Sequence, residues 1–138
     1  MPRTILVGLD GSAREEHVLR EAAALAGDAV LNVCRAVTVP VGLPDAVWSM
    51  SMSQLDIALV AEAEKSLAAR LTGFSSSVAH VRLGQPADVI CDLAKELGAD
   101  LVVIGAHGYG VLERLLGTTA SKVVHRAPCS VLVVRDRT

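Results

Sequence analysis

Aromatic side chains are nearly absent from this chain, which holds one Phe, one Tyr and one Trp, 2% of the sequence. That scarcity removes the stacking platforms on which single-stranded nucleic acids are held. An excess of charge is missing as well. The formal net charge of −2 excludes electrostatic capture of nucleic acid or of an anionic membrane surface. No run reaches the roughly 20 apolar residues that cross a bilayer. The most apolar loop, Val37 to Met52, is interrupted by Pro40, Pro44 and Asp45. The opening MPRTILVGLDGS leads into a short apolar strand and turn residues, unlike a signal peptide. The three cysteines, Cys34, Cys91 and Cys129, are odd in number and lack metal-ligand spacing. In their apolar surroundings they read as buried packing residues. These absences point to a cytoplasmic protein with neither a membrane nor a nucleic-acid partner.

What the chain does have is aliphatic bulk. Hydrophobic residues make up 51% of its 138 positions, so the core is built from Val, Leu, Ile and Ala, as in a parallel sheet covered by Ala-rich helices. The length suits one domain spanning residues 1–138. Five apolar runs have strand length and β-branched content: Thr4–Leu9, Ala29–Val37, Val78–Leu83, Leu101–Gly105 and Ser130–Arg135. Each is nearly continuous rather than alternating, as expected when both sheet faces are covered. Helical segments fall between them, which predicts an α/β fold with a doubly wound parallel sheet and right-handed crossovers.

Punctuation marks the helices. Ser12-x-x-Glu15 predicts a capping box opening the first helix, whose apolar face uses Val18, Leu19, Ala22 and Leu25, with Gly27 as a left-handed stop. The second is expected from about Ser53 to Gly73 with Leu55, Leu59, Ala63, Leu67 and Leu71 facing inward. Pro86 suits the first position of the third, which Gly98 ends. The fourth is expected from about Thr119 to Arg126, stopping before Pro128. Thr38–Met52 is the one long connection, and its Trp48 is expected to close over a ligand.

Ligands of open parallel sheets bind beyond the carboxyl ends of the strands, where the strand order reverses. If the first and fourth strands flank that point, Gly8-Leu9-Asp10-Gly11-Ser12 meets Gly105-Ala106-His107-Gly108-Tyr109-Gly110. The second segment is followed by Gly117-Thr118-Thr119 at the start of a helix. Glycines permit close backbone approach, and a helix N-terminus presents unpaired N–H groups and positive partial charge. Together they predict a phosphate cradle that needs no lysine or arginine. Asp10 either contacts a ribose or base at the crevice or caps the first helix in place of Ser12. His107 either donates to a phosphate or is a solvent-facing loop residue. His17, His80 and His125 show no convergent partners, and a solvated position suits Arg114 better than a phosphate contact.

These segments resemble the universal stress protein domain: Ile5-Leu6-Val7-Gly8-Leu9-Asp10-Gly11-Ser12, then Gly105-x-x-Gly108, Gly117-Thr118 and Ala127-Pro128-Cys129-Ser130-Val131-Leu132-Val133-Val134. The resemblance runs from end to end. It implies a five-stranded sheet in the order 3-2-1-4-5, a homodimer, and ATP, with Mg2+, as the ligand. Carried onto these residues, it implies that Gly105 packs against ribose and that His107, Gly108, Gly117, Thr118 and Thr119 hold phosphates. Asp10 would contact adenosine, Gly8 would line the pocket, and the backbone of Val33 would read adenine. Eight residues separate Gly108 from Gly117, one fewer than the family's ATP-binding pattern, which places a deletion within Tyr109–Leu116. The apolar fifth strand, Ser130–Arg135, is the expected dimer edge, since pairing removes unsatisfied backbone groups.

Other classes fit less well. No lysine-bearing phosphate loop and no nearby carboxylate pair is visible, so any hydrolysis is expected to be slow and incidental. The third strand ends Arg82-Leu83-Gly84-Gln85, without the acceptor aspartate of a phosphorelay receiver. The turn after the first strand lacks the Gly-x-Gly-x-x-Gly of a dinucleotide-binding oxidoreductase. A dimeric interaction module that binds no nucleotide, or a slow ATPase, is the alternative to an ATP-binding stress-response regulator.

Overall fold

In the computed structural model, which describes residues 4–38, 52–74, 76–106 and 116–135, each apolar run becomes a strand. These are β1 (Ile5–Leu9), β2 (Leu31–Val37), β3 (Ser77–Leu83), β4 (Leu101–Gly105) and β5 (Ser130–Val134). The helices between them are α1 (Glu15–Ala26), α2 (Met52–Arg70), α3 (Pro86–Leu97) and α4 (Thr118–Arg126), and a 3-10 turn, Leu71–Gly73, prolongs α2. All strand pairs are parallel and the order is β3-β2-β1-β4-β5. The chain therefore winds outward from β1 in both directions, and the carboxyl ends of β1 and β4 bound the point of reversal.

Side chains along β1 alternate between two cores. Ile5, Val7 and Leu9 join Val18, Leu19 and Ala22 of α1 and Leu67 of α2 on one face. Leu6 faces α3 and α4 on the other, among Ile90, Leu93, Val102 and Val123. At the far end of the sheet, the Thr4 N–H donates to the Asp100 carboxylate at 2.9 Å, and the Asp100 N–H returns a 2.9 Å bond to the Thr4 carbonyl. This clasp sets the register of β1 against β4.

Burial on both faces holds for the central strands but not for the edges. In β3 most side chains are half-buried or exposed, with Val78 at 45% and Leu83 at 44%. Beyond Ser130, β5 is half-buried throughout. An edge strand lacks a neighbour on one side, so a continuous apolar run there is only partly covered. On α1 the buried stripe runs through Glu15, Val18, Leu19, Ala22 and Ala26, while Leu25 falls at its margin and is 40% exposed. Gly98 ends α3 in the left-handed helical well (φ 62°, ψ 42°), as its position implied. Gly27 ends α1 at φ 58° but with ψ −118°, outside that well. Cys34 and Cys91 are buried, whereas Cys129 is only half-buried. Burial pushes the Cys34 thiol up to about 12, which keeps it protonated and inert. Among the described residues, no helix is long and apolar enough to cross a membrane.

Candidate functional site

A cavity of about 390 Å³ opens at the carboxyl ends of β1 and β4. Its size falls within the range of small-molecule sites. Among the described residues, four structural pieces frame it: the turn Gly8–Ser12 with the first turn of α1, the end of β2 and the residue after it (Ala36, Thr38), the face of α3 (Pro86, Ile90), and the end of β4 with the start of α4 (Ile104–Ala106, Gly117–Ala120).

The floor is glycine for a packing reason. A Cβ on Gly8 would stand 2.7 Å from Ile90 Cδ1 and 3.2 Å from Ile104 Cγ2. The missing side chain is what lets α3 sit against the sheet beneath the cavity.

On the β1 side, charged side chains shape the turn. The Ser12 N–H donates to Asp10 Oδ1 at 2.9 Å, closing an Asx turn. Gly11 sits at φ 79°, a conformation other residues rarely adopt. Its N–H donates to Glu15 Oε2 at 2.9 Å. The capping box is thus displaced: Glu15 reaches the Gly11 amide rather than that of Ser12, and the Ser12 hydroxyl accepts from the Arg14 N–H at 3.3 Å. The helix itself opens at Glu15, without a side-chain cap. Asp10 therefore orders its own turn and does not cap α1.

Glu15 is the residue that sequence reasoning misplaced. It is only 3% exposed, because it lies at the centre of the buried stripe of α1. Arg35 Nη2 reaches both its oxygens, at 3.0 and 2.8 Å, and Arg70 Nε reaches Oε1 at 2.8 Å. Arg35 Nη1 in turn donates to the Ser66 hydroxyl at 3.1 Å, while its Nε is buried without a partner. The signal was Arg35 itself. An arginine inside the strand Leu31–Val37, packed between helices, requires a buried counter-charge.

On the β4 side, the backbone does the shaping. The Ala106 N–H donates to the Val134 carbonyl at 2.9 Å, and the Gly117 N–H donates to the Ala106 carbonyl at 2.8 Å. Gly117 occupies the N-cap position of α4 in extended conformation, with no side-chain cap, and no acidic residue follows in the first turn. The opening residues of α4, at its positive dipole end, thus line the cavity with no side-chain cap among the described residues. His125 and Arg126 complement the opposite end of the helix.

The structure brings Gly8, Asp10, Gly105, Gly117, Thr118 and Thr119 to one cavity. Val33 is not among them. It is fully buried inside the ladder between Val7 and Ala79, below the carboxyl edge, and β2 contributes Ala36 while the following Thr38 completes that side. His107, Gly108, Gly110 and Arg114, most of the shortened Tyr109–Leu116 stretch and Trp48 lie outside the described residues. His80 does have a partner, contrary to the sequence reading: its Nε2 lies 3.0 Å from Asn32 Oδ1. Burial, assisted by Arg82, lowers its pKa. Among the described residues, no group of three His, Cys, Asp or Glu is placed to hold a metal ion.

Comparison with known proteins places this geometry in context. The model of the universal stress protein family matches residues 1–135. The chain is 32% identical to universal stress protein G of Escherichia coli O157:H7 over 142 residues, covering 98% of this chain and 100% of that one. Among solved structures, it is similar to universal stress protein UspA from Lactobacillus plantarum, with a TM-score of 0.78, 28% identity and coverage of 98% and 99%. The same fold occurs in a universal stress protein in complex with cAMP (TM-score 0.67, 24% identity, coverage 99% and 99%). It also occurs in one from Archaeoglobus fulgidus in complex with dAMP (TM-score 0.58, 23% identity, coverage 96% and 97%).

Proposed function

The chain belongs to the universal stress protein family, and from that premise we propose that its crevice binds an adenine nucleotide, ATP carried with Mg2+, as the input of a regulatory module. The observation that carries this reading is the opening of α4. A helix N-terminus with a glycine at the N-cap, no side-chain cap and no acid in its first turn faces a cavity of about 390 Å³. Unsatisfied amides and a positive dipole end favour an anion of phosphate type. Two proteins of this fold hold adenine nucleotides, cAMP and dAMP, which supports adenine as the base.

In this reading Gly117, Thr118 and Thr119 hold phosphates, joined by His107 and Gly108 of the motif. Gly105 packs against ribose, Asp10 contacts ribose or base, and Gly8 forms the floor. The adenine-reading backbone belongs to Ala36–Thr38, at and just past the end of β2, rather than to Val33. Mg2+ arrives on the phosphates, with Asp10 the carboxylate nearest to hand. The role is regulatory rather than catalytic: of the two carboxylates that line the cavity among the described residues, Glu15 is already held by two guanidiniums. The half-buried apolar residues of β5 fit pairing with a two-fold mate along Ser130–Arg135.

The test is denaturing extraction of freshly purified protein, chromatographic identification of any released nucleotide, and titration of the stripped protein with Mg-ATP. A stoichiometric adenine nucleotide and saturable rebinding are expected. No nucleotide and no binding at millimolar ATP would overturn the reading and leave a dimeric interaction module.

A further inference from the structure

Glu15 gathers contacts from separate parts of the fold onto one carboxylate. They come from the Gly11 amide in the crevice turn, Arg35 on β2 and Arg70 at the end of α2. Apolar residues of similar volume in place of Glu15, Arg35 and Arg70 together would cost little stability, since whole buried ion clusters seldom gain over hydrophobic packing, whereas removing Glu15 alone would strand the two guanidiniums. What the ions add is direction. The turn they hold is loose by composition, because glycine populates many backbone conformations. Its observed shape, with Gly11 at φ 79°, is closed by the Asx bond to Asp10 Oδ1 and tied to the rest of the fold by the bond to Glu15 Oε2. Arg35 leaves its Nε buried without a partner while pointing Nη2 at both Glu15 oxygens.

We infer that Glu15 is the positioning residue of the crevice: it holds the Asp10–Ser12 turn in its ligand-receiving shape and, through Arg70, makes that shape depend on the end of α2. The inference rests on the nucleotide reading for its ligand. Glu15 borders the cavity, but its oxygens are taken by Gly11, Arg35 and Arg70, so it acts through the turn and not on the nucleotide. Arg70 does not border the cavity at all and is 38% exposed. By linkage, a ligand that favours the ordered turn also steadies the Ser66–Arg70 end of α2.

The experiment uses the full chain in three forms: wild type, Glu15→Gln and Arg70→Met. ATP affinity is measured by calorimetry, and amide hydrogen exchange is followed at Gly11 and at Ser66–Arg70 with and without ATP. Loss of one charge-assisted bond is expected to weaken ATP binding about threefold in Arg70→Met and about tenfold in Glu15→Gln. Gly11 exchanges faster in both variants, and the ATP-dependent protection of Ser66–Arg70 seen in wild type disappears. Unchanged affinity and unchanged Gly11 exchange in Arg70→Met would overturn the inference. Should Glu15→Gln not fold, Arg70→Met decides alone, since its partly exposed side chain leaves the core intact. If wild type binds no ATP, the nucleotide reading fails, while Gly11 exchange in Arg70→Met still decides whether Glu15 positions the turn.

Discussion

The two walls of the crevice are built by opposite means. On the β1 wall, Asp10, Ser12, Glu15, Arg35 and Arg70 bond to one another and to the turn, so its charges are largely matched before any ligand arrives. On the β4 wall, among the described residues, backbone bonds through Ala106 and Gly117 set the geometry, and the opening residues of α4 line the cavity without a side-chain cap. The difference separates placement from affinity. A wall with satisfied charges suits placement of a ligand, and a wall that ends in an uncapped helix N-terminus suits attraction of an anion.

The comparison breaks most visibly at Glu15. Glu15→Ala strands two guanidiniums beside a buried gap and is expected to lower stability by about 3 kcal/mol or more in urea unfolding. A loss under about 1 kcal/mol would mean that the β1 wall is not organised by this carboxylate. Next comes the floor beneath that wall. Gly8→Ala forces a methyl group into Ile90 and is expected to cost about 1–3 kcal/mol by the same assay, with Ile90→Val in the same chain recovering part of the loss.

The β4 wall answers differently. Gly117→Asp supplies the missing N-cap and an internal anion at the mouth of α4. Stability is expected to hold or rise by up to about 1 kcal/mol, while nucleotide affinity falls at least tenfold in titration. A fall in both would show that this wall, too, is held by its present side chains.

The smallest effect lies outside the crevice. The pKa of His80 is lowered below its ordinary 6.5 by burial and then by Arg82, with Glu96 opposing. The unfolded chain therefore takes up the proton first, so stability is full above pH 6.5 and declines as pH falls toward the folded-state value. His80→Gln, which keeps a partner for Asn32, is expected to flatten that part of the curve relative to wild type. Parallel curves for the two proteins would remove His80 from the account.

The same contrast explains what could be read from the sequence. The β4 wall was legible because its chemistry is written as glycines beside a helix start, a pattern independent of which side chains touch. The strands, too, were legible, because covered parallel strands are continuous apolar runs, and their ends shifted by no more than two residues. The order of the strands came from resemblance alone, since periodicity carries no information on which strands are neighbours. The β1 wall was misread because Ser12-x-x-Glu15 has the spacing of a cap, and spacing does not reveal that Glu15 points into the core. Only Arg35, a charge inside a covered strand, marked the buried network. Val33 was misplaced for a related reason: a matching position in a strand does not fix its height relative to the carboxyl edge.

The clasp between Thr4 and Asp100 has a consequence for how the protein is made. Its partners are 96 positions apart in the chain, so β1 leaves the ribosome well ahead of β4 and waits for it before its second edge is paired. β1, β2 and β3 can assemble as soon as Leu83 emerges, but that half-sheet presents Ile5–Leu9 as a bare apolar edge until Gly105 follows. At ordinary synthesis rates the interval lasts about one to a few seconds. During it the centre of the finished sheet is the sticky margin of an unfinished one, and translation speed across residues 84–105 becomes a determinant of yield.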